Sequence, residues 1–165
     1  MNKRKLMATV FIIGLIIVML TIFLINTVKM NKTSDLTLTD IHDKVVLGKT
    51  SRQDIKKLFG NPKSIEQNVD NIRKTYEKWT QDETGINFSL SDGTDYWESI
   101  KYIDDGASFS EDDFTICYQY QADSLGVKAV YFFFIDNRLE AFVFDDTLTH
   151  KSVAKKDKYL RQIID

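Results

Sequence analysis

Apolar positions along the chain change period three times. Residues 6–28, LMATVFIIGLIIVMLTIFLINTV, form one run of 23 positions without a charge. At the rise of an α-helix this reaches about 34 Å, enough to cross a hydrocarbon core of roughly 30 Å with some tilt. A cleaved signal has an apolar region of only about 7 to 15 residues followed by a small-residue cleavage site. The run therefore predicts an uncleaved transmembrane anchor. After the short polar segment KMNKTSD at 29–35, the period becomes helical, with Leu38, Ile41 and Val45 on one face. Thr37 is placed to cap this first helix and Gly48 to follow its end. The second helix begins at Thr50, with Gln53 at capping-box spacing, and turns Ile55, Leu58 and Phe59 to one side. Gly60 suits its end, and Pro62 prevents continuation.

Further on the period falls to two. Phe114, Ile116, Tyr118 and Tyr120 alternate with Thr115, Cys117, Gln119 and Gln121, the pattern of a half-buried strand with one wet face. Residues 127–146 hold two apolar runs around Asp136 and Asn137, residues that tolerate positive φ and suit a tight hairpin turn. With those two in the turn, Phe134, Phe132 and Val130 share a core face with Leu139, Ala141 and Val143. Tyr131, Phe133, Ile135, Arg138, Glu140 and Phe142 then form a second, mixed aromatic and charged face. The end of the chain, THKSVAKKDKYLRQIID, places Val153, Tyr159, Leu160, Ile163 and Ile164 near one face of an amphipathic helix whose other side is basic. The fold class is α+β: an N-terminal transmembrane helix, two short helices packed on an antiparallel sheet of about 4–5 strands, and a C-terminal amphipathic helix. The domains are a basic tail at 1–5, the anchor at 6–28, a linker at 29–35 and one α+β domain at 36–165.

Charge adds orientation. Of the 22 basic groups, Lys3, Arg4, Lys5 and Lys29 are in the first thirty residues, leaving 18 against 24 acidic groups in the remainder. The basic cluster before the run is retained in the cytoplasm, so the domain faces outward, in a single-pass membrane protein. An acidic domain is a poor ligand for nucleic acid. Cys117 is the only cysteine, so the chain cannot close an internal disulfide.

The stretch VVLGKTSRQDIKKLFGNP, with Leu47, Gly48, Thr50, Asp54, Ile55, Leu58, Gly60 and Pro62, resembles the N-terminal signature of the BamE/SmpA/OmlA family and of the wider group with the beta-lactamase-inhibitor-like fold. Trp79 stands where the family has an aromatic strand residue. The resemblance implies two helices on one face of an antiparallel sheet, in an envelope-attached protein that binds other proteins and catalyses nothing. The chain departs from the family in lacking a lipid-accepting cysteine and in carrying a long segment, 81–113, before the later strands. The first departure points to a cytoplasmic membrane facing a cell wall.

Candidate chemistry is sparse. His42 and His150 are distant in sequence, and no metal-ligand spacing, phosphate loop or nucleophile elbow occurs. His42, beside Asp40 and Asp43, reads as a surface histidine. The pairs Asp104–Asp105, Asp112–Asp113 and Asp145–Asp146 read as solvated loop carboxylates, and Ser91 to Asp95 as a turn. No catalytic residue, metal or cofactor is assigned. The expected function is a membrane-anchored, non-catalytic adaptor that holds lipid through 6–28 and another envelope protein through Tyr131, Phe133, Ile135, Arg138, Glu140 and Phe142. The alternatives are a wall-directed hydrolase acting through the acidic loops and an inhibitor of another enzyme.

Overall fold

A computed structural model describes residues 35–103 and 109–164. The expected basic tail and span, and the tether up to residue 34, lie outside the described residues. Among the described residues no helix is long and apolar enough to cross a membrane. Residues Ser34–Asp165 cluster as one unit.

Helix α1 (Leu38–Lys44) starts as its sequence directs: the Thr37 hydroxyl accepts from the Asp40 N–H at 2.9 Å, and Leu38, Ile41 and Val45 are fully buried. Gly48 does not end this helix. The chain becomes extended at Val45 and forms the short strand β1 (Val46–Leu47), and Gly48 follows with φ 75°. This segment is extended because the sheet claims its polar groups: the Gly48 N–H donates to the Leu139 carbonyl at 2.9 Å, and the Val46 N–H donates to the Thr50 hydroxyl at 2.8 Å. With Thr50 so engaged, the cap of α2 (Arg52–Phe59) moves to Ser51. Ser51 accepts from the Asp54 N–H at 3.1 Å, and the Asp54 carboxylate accepts from the Ser51 N–H at 3.3 Å. The capping box is thus one residue later than Thr50 and Gln53. Gly60 ends α2 at φ 80°.

Strand β2 (Ser64–Glu66) leads into α3 (Val69–Thr80), capped by the Asn68 side chain on the Asn71 N–H at 3.0 Å. Trp79 is therefore helical, not a strand residue. Two further helices, α4 (Ile86–Gly93) and α5 (Tyr96–Ser99), precede β3 (Lys101–Tyr102), so Ser91 to Asp95 is a helix end and not a free turn. The remaining strands are β4 (Ile116–Tyr120), β5 (Val130–Ile135) and β6 (Arg138–Phe144). They form a four-stranded antiparallel sheet in the order β2-β4-β5-β6, while β1 and β3 pair in parallel. The class is α+β with a four-stranded antiparallel sheet.

Asp136, at φ 54°, turns the hairpin between β5 and β6 where the sequence places it. The predicted register fails one step later. Phe134 pairs with Leu139, but Phe133 pairs with Ala141, so Glu140 is an extra residue on β6. A bulge of this kind flips every side chain that follows it to the other face. Phe142 and Phe144 therefore join Val130, Phe132 and Phe134 in the main core, while Val143 is buried and Ala141 packs in the second cluster with Phe133.

That second cluster corrects the expectation of a wet face. Ile72, Tyr76 and Trp79, at i, i+4 and i+7 of α3, pack with Cys117, Phe133 and Val143, and Phe114 closes the end. On the other face α1, α2, α4 and α5 meet the main core. The sheet is a middle layer, not a floor with helices on one side only.

The C-terminal stretch is two single turns, α6 (Lys151–Ala154) and α7 (Leu160–Ile163), instead of one amphipathic helix. Asp157 causes the break. Its carboxylate accepts from the N–H groups of Tyr159 (2.9 Å) and Leu160 (3.1 Å), and from the N–H and hydroxyl of Thr39 on α1, both at 2.9 Å. Tyr159 and Leu160 are fully buried and the lysines stay outside.

A Cβ at Gly48 would lie 2.4 Å from the backbone oxygen of Ile103, at a φ that L residues adopt at a cost. The expected result for Gly48→Ala is a loss of about 2 kcal/mol or more of stability, measured by urea denaturation.

Candidate functional site

Strand β6 is one edge of the four-stranded sheet, and among the described residues no strand pairs along its outer side. Side chains and loops seal its ends. At one end Leu139 gives its N–H to the Thr50 carbonyl at 2.9 Å and takes the Gly48 N–H. At the other, the Asn87 amide accepts from the Phe144 N–H at 2.9 Å and donates to the Phe144 carbonyl at 2.8 Å, imitating a neighbouring strand. Asn87 is held from both sides, donating to the Trp79 carbonyl and offering its own carbonyl to the Trp97 indole, each at 3.1 Å.

Between the two seals lies a groove of about 410 Å³. Glu140 to Val143 of β6 form its floor, and Leu47 of β1, Tyr76 and Thr80 of α3, Phe88 of α4, Trp97 of α5 and Phe109 also line it. Phe88 and Phe109 are 48% and 38% exposed, which is high for large aromatics and makes them available to a ligand. Glu140, the bulge residue, is buried and forms an ion pair with Arg138. A buried carboxylate needs such a partner, so the bulge and the pair hold each other in place.

The six residues expected to form one binding face are divided. Phe133 is fully buried between Tyr76 and Phe114, each ring 5.2 Å away. Tyr131 stacks on Trp79 at 6.2 Å, and Ile135 packs in the same layer. Phe142 is on the opposite side of the sheet, 5.1 Å from Trp97. Of the six, Glu140 and Phe142 line the groove. The physical cause is the bulge together with the α3 cover. The groove's rim, Phe88 and Phe109, comes from the segment between the early and late strands, where local patterning is weakest.

Other candidate chemistry resolves into structural work. His42 is not a surface residue: its side chain is 12% exposed and lies between Tyr96 and Tyr159, 5.3 and 4.8 Å away. Its ring nitrogens lie 2.9 Å from the Asp43 carboxylate and 2.9 Å from the Ser99 hydroxyl, a serine, histidine and aspartate in sequence of contact. A nucleophile must give its proton to the histidine. Ser99 instead donates to the Asp95 carbonyl at 2.6 Å while its oxygen lies against the His42 ring, so the arrangement ties α1 to α5. Asp104 and Asp105 lie outside the described residues. Asp112 pairs with Arg73 at 3.0 Å, and Asp113 caps Ser110 at 2.7 Å. Asp146 receives the Ile86 N–H at 2.7 Å and so serves the start of α4; burial raises its pKa, as does the proximity of Asp82 and Asp145. Among the described residues no group of three or more histidine, cysteine or acidic side chains is placed to hold a metal ion. His150 precedes α6 and joins none of these contacts.

A family model described as "Domain of Unknown Function with solved-structure structure (DUF3862)" matches residues 28–103. The match runs through α1, β1, α2, β2, α3, α4 and α5 to β3. No curated protein and no solved structure matches the chain.

Cys117 gives a pH test of the second layer. Burial pushes its thiol up from 9.0 to about 12, and the charge of Glu66 adds to the effect. A raised folded-state value means that the native protein holds its proton after the unfolded chain has lost it. The contribution is therefore complete below pH 9.0 and is lost as pH rises toward about 12. Stability measured by denaturation should decline across that window, and less steeply in Cys117→Ala. The same burial predicts alkylation of the native thiol slower than that of the unfolded chain by a factor on the order of 100.

Proposed function

We propose that the protein is a membrane-anchored, non-catalytic interaction module on the outer face of a cytoplasmic membrane, and that the groove along β6 holds an extended apolar segment of another envelope protein. The groove is the observation that carries this reading. It is concave, lined largely by aromatic and aliphatic side chains, and opens on a strand edge. Extended peptides bind such edges through their backbone and place alternate side chains in flanking pockets. Aromatic residues at the rim and a charged pair beneath have the composition of a recognition site. The uncharged run at 6–28 and the basic residues before it support the anchor and its orientation. The resemblance to BamE, SmpA and OmlA proteins supports the adaptor class, which is an analogy of fold.

A photoreactive amino acid at position 88 of the full-length protein, activated in cells, should capture one reproducible envelope protein. Phe109→Ser, or Phe88→Ser tested with the reactive group moved to position 109, should reduce capture by tenfold or more, on the order of the loss of one buried aromatic anchor. Both side chains are exposed, so the fold should survive, as circular dichroism would show. Undiminished capture by folded variants would remove the groove as the binding surface.

A further inference from the structure

We infer that the cleft between the start of α1 and the C-terminal turns is a binding site for the phosphate of an anionic lipid headgroup. The inference rests on the membrane-anchor reading above. The cleft, of about 520 Å³, is lined by Thr37 and Thr39 on the α1 side and by Lys156, Lys158 and Arg161 on the other. Lys155, Lys156 and Arg161 are exposed, and none has an ion pair among the described residues. Lys158 donates one proton to the Tyr159 hydroxyl at 2.9 Å and keeps two donors. Two carboxylates also face the cleft. Asp157 is buried and takes four hydrogen bonds from Thr39, Tyr159 and Leu160, so its acceptors are spent within the protein. Asp35 is exposed at the rim.

Two features make lipid the occupant. The first is position in the chain. Asp35 lines the cleft, and only residues 29–34 separate it from the end of the uncharged run. A lipid headgroup is therefore an occupant whose source the chain itself supplies, through the anchor reading on which this inference rests. The second is charge. From Lys151 to Arg161 five basic residues stand against Asp157 alone, in a domain where acidic groups outnumber basic ones. Each lysine or arginine near an anionic surface raises local partitioning by roughly fivefold. A phosphodiester accepting from ammonium, guanidinium and the Thr37 hydroxyl matches these donors.

The test uses the full chain in nanodiscs of phosphatidylcholine alone or of phosphatidylcholine with phosphatidylglycerol, read by hydrogen exchange of peptides covering 37–42 and 151–162. Exchange of these peptides should slow by about tenfold in the anionic discs and recover at high salt. Lys156→Gln, Lys158→Gln and Arg161→Gln together should abolish the difference while exchange in β5 stays unchanged. Equal exchange in the two discs overturns the headgroup site and leaves the anchor reading intact. Protection produced by inorganic phosphate in phosphatidylcholine discs, and none by phosphatidylglycerol, overturns lipid as the source. A chain that does not enter discs at all overturns the anchor and this site together.

Discussion

Glu140 is one residue more than β5 can pair with, and the layers of the domain depend on where that surplus falls. Placed after Leu139, it sends Phe142 and Phe144 into the main core and Ala141 and Val143 toward α3. Without it Phe142 would stand among the residues under α3, and two of the largest side chains of the main core would be absent. A bulge leaves a residue without a ladder partner and bends its strand. Here the unpaired residue is a carboxylate, and Arg138 on the same strand neutralises it. The same bend lies in the floor of the aromatic groove, so the irregularity that sorts the core also shapes the surface proposed for binding.

Around this hairpin, polar side chains and loop backbone groups do work that a further strand would otherwise do. Asn87 closes the Phe144 end of the β6 edge, Thr50 and Gly48 close the Leu139 end, and Asp157 fastens the C-terminal turns to α1. Each such bond contributes about 1 kcal/mol net, but leaving a buried donor or acceptor unmade costs more. This asymmetry makes them determinants of the fold and not additions to it. Among the described residues one short stretch of β6 has no such partner, and an open strand edge in a folded domain is normally covered or used.

The domain separates its charges. Basic groups collect on the C-terminal turns, beside the point where the chain enters from the tether, while the middle segment that supplies the groove's aromatic rim carries much of the acid. The similarity to a domain family of unknown function covers residues 28–103 and hence the groove's α3, α4 and α5 walls, but not the bulged hairpin that forms its floor.

Local chemistry was enough for α1, for α2 with its glycine end, for the strand at 116–120 and for the hairpin turned at Asp136. Each is written in spacings of a few residues: an apolar stripe, a cap, a positive-φ residue. Helix α3 is equally legible in the spacing of Asn68, Ile72, Tyr76 and Trp79, which outweighs the strand position that the family resemblance implies for Trp79. The burial of His42 and the break at Asp157 were not legible, because each depends on hydrogen bonds or ring contacts to residues more than fifty positions away, whereas the shift of the α2 cap from Thr50 to Ser51 follows from a bond only four positions long, from the Val46 N–H to the Thr50 hydroxyl. The binding surface falls in the same class. A period-two pattern assigns faces correctly only while two strands advance in step, and the bulge ends that agreement after Leu139. The sequence by itself determined α1, α2, the strand at 116–120 and the β5–β6 hairpin, and which residues are apolar enough to be buried. Only the tertiary structure decided which of those residues remain exposed, since exposure is a property of what packs alongside.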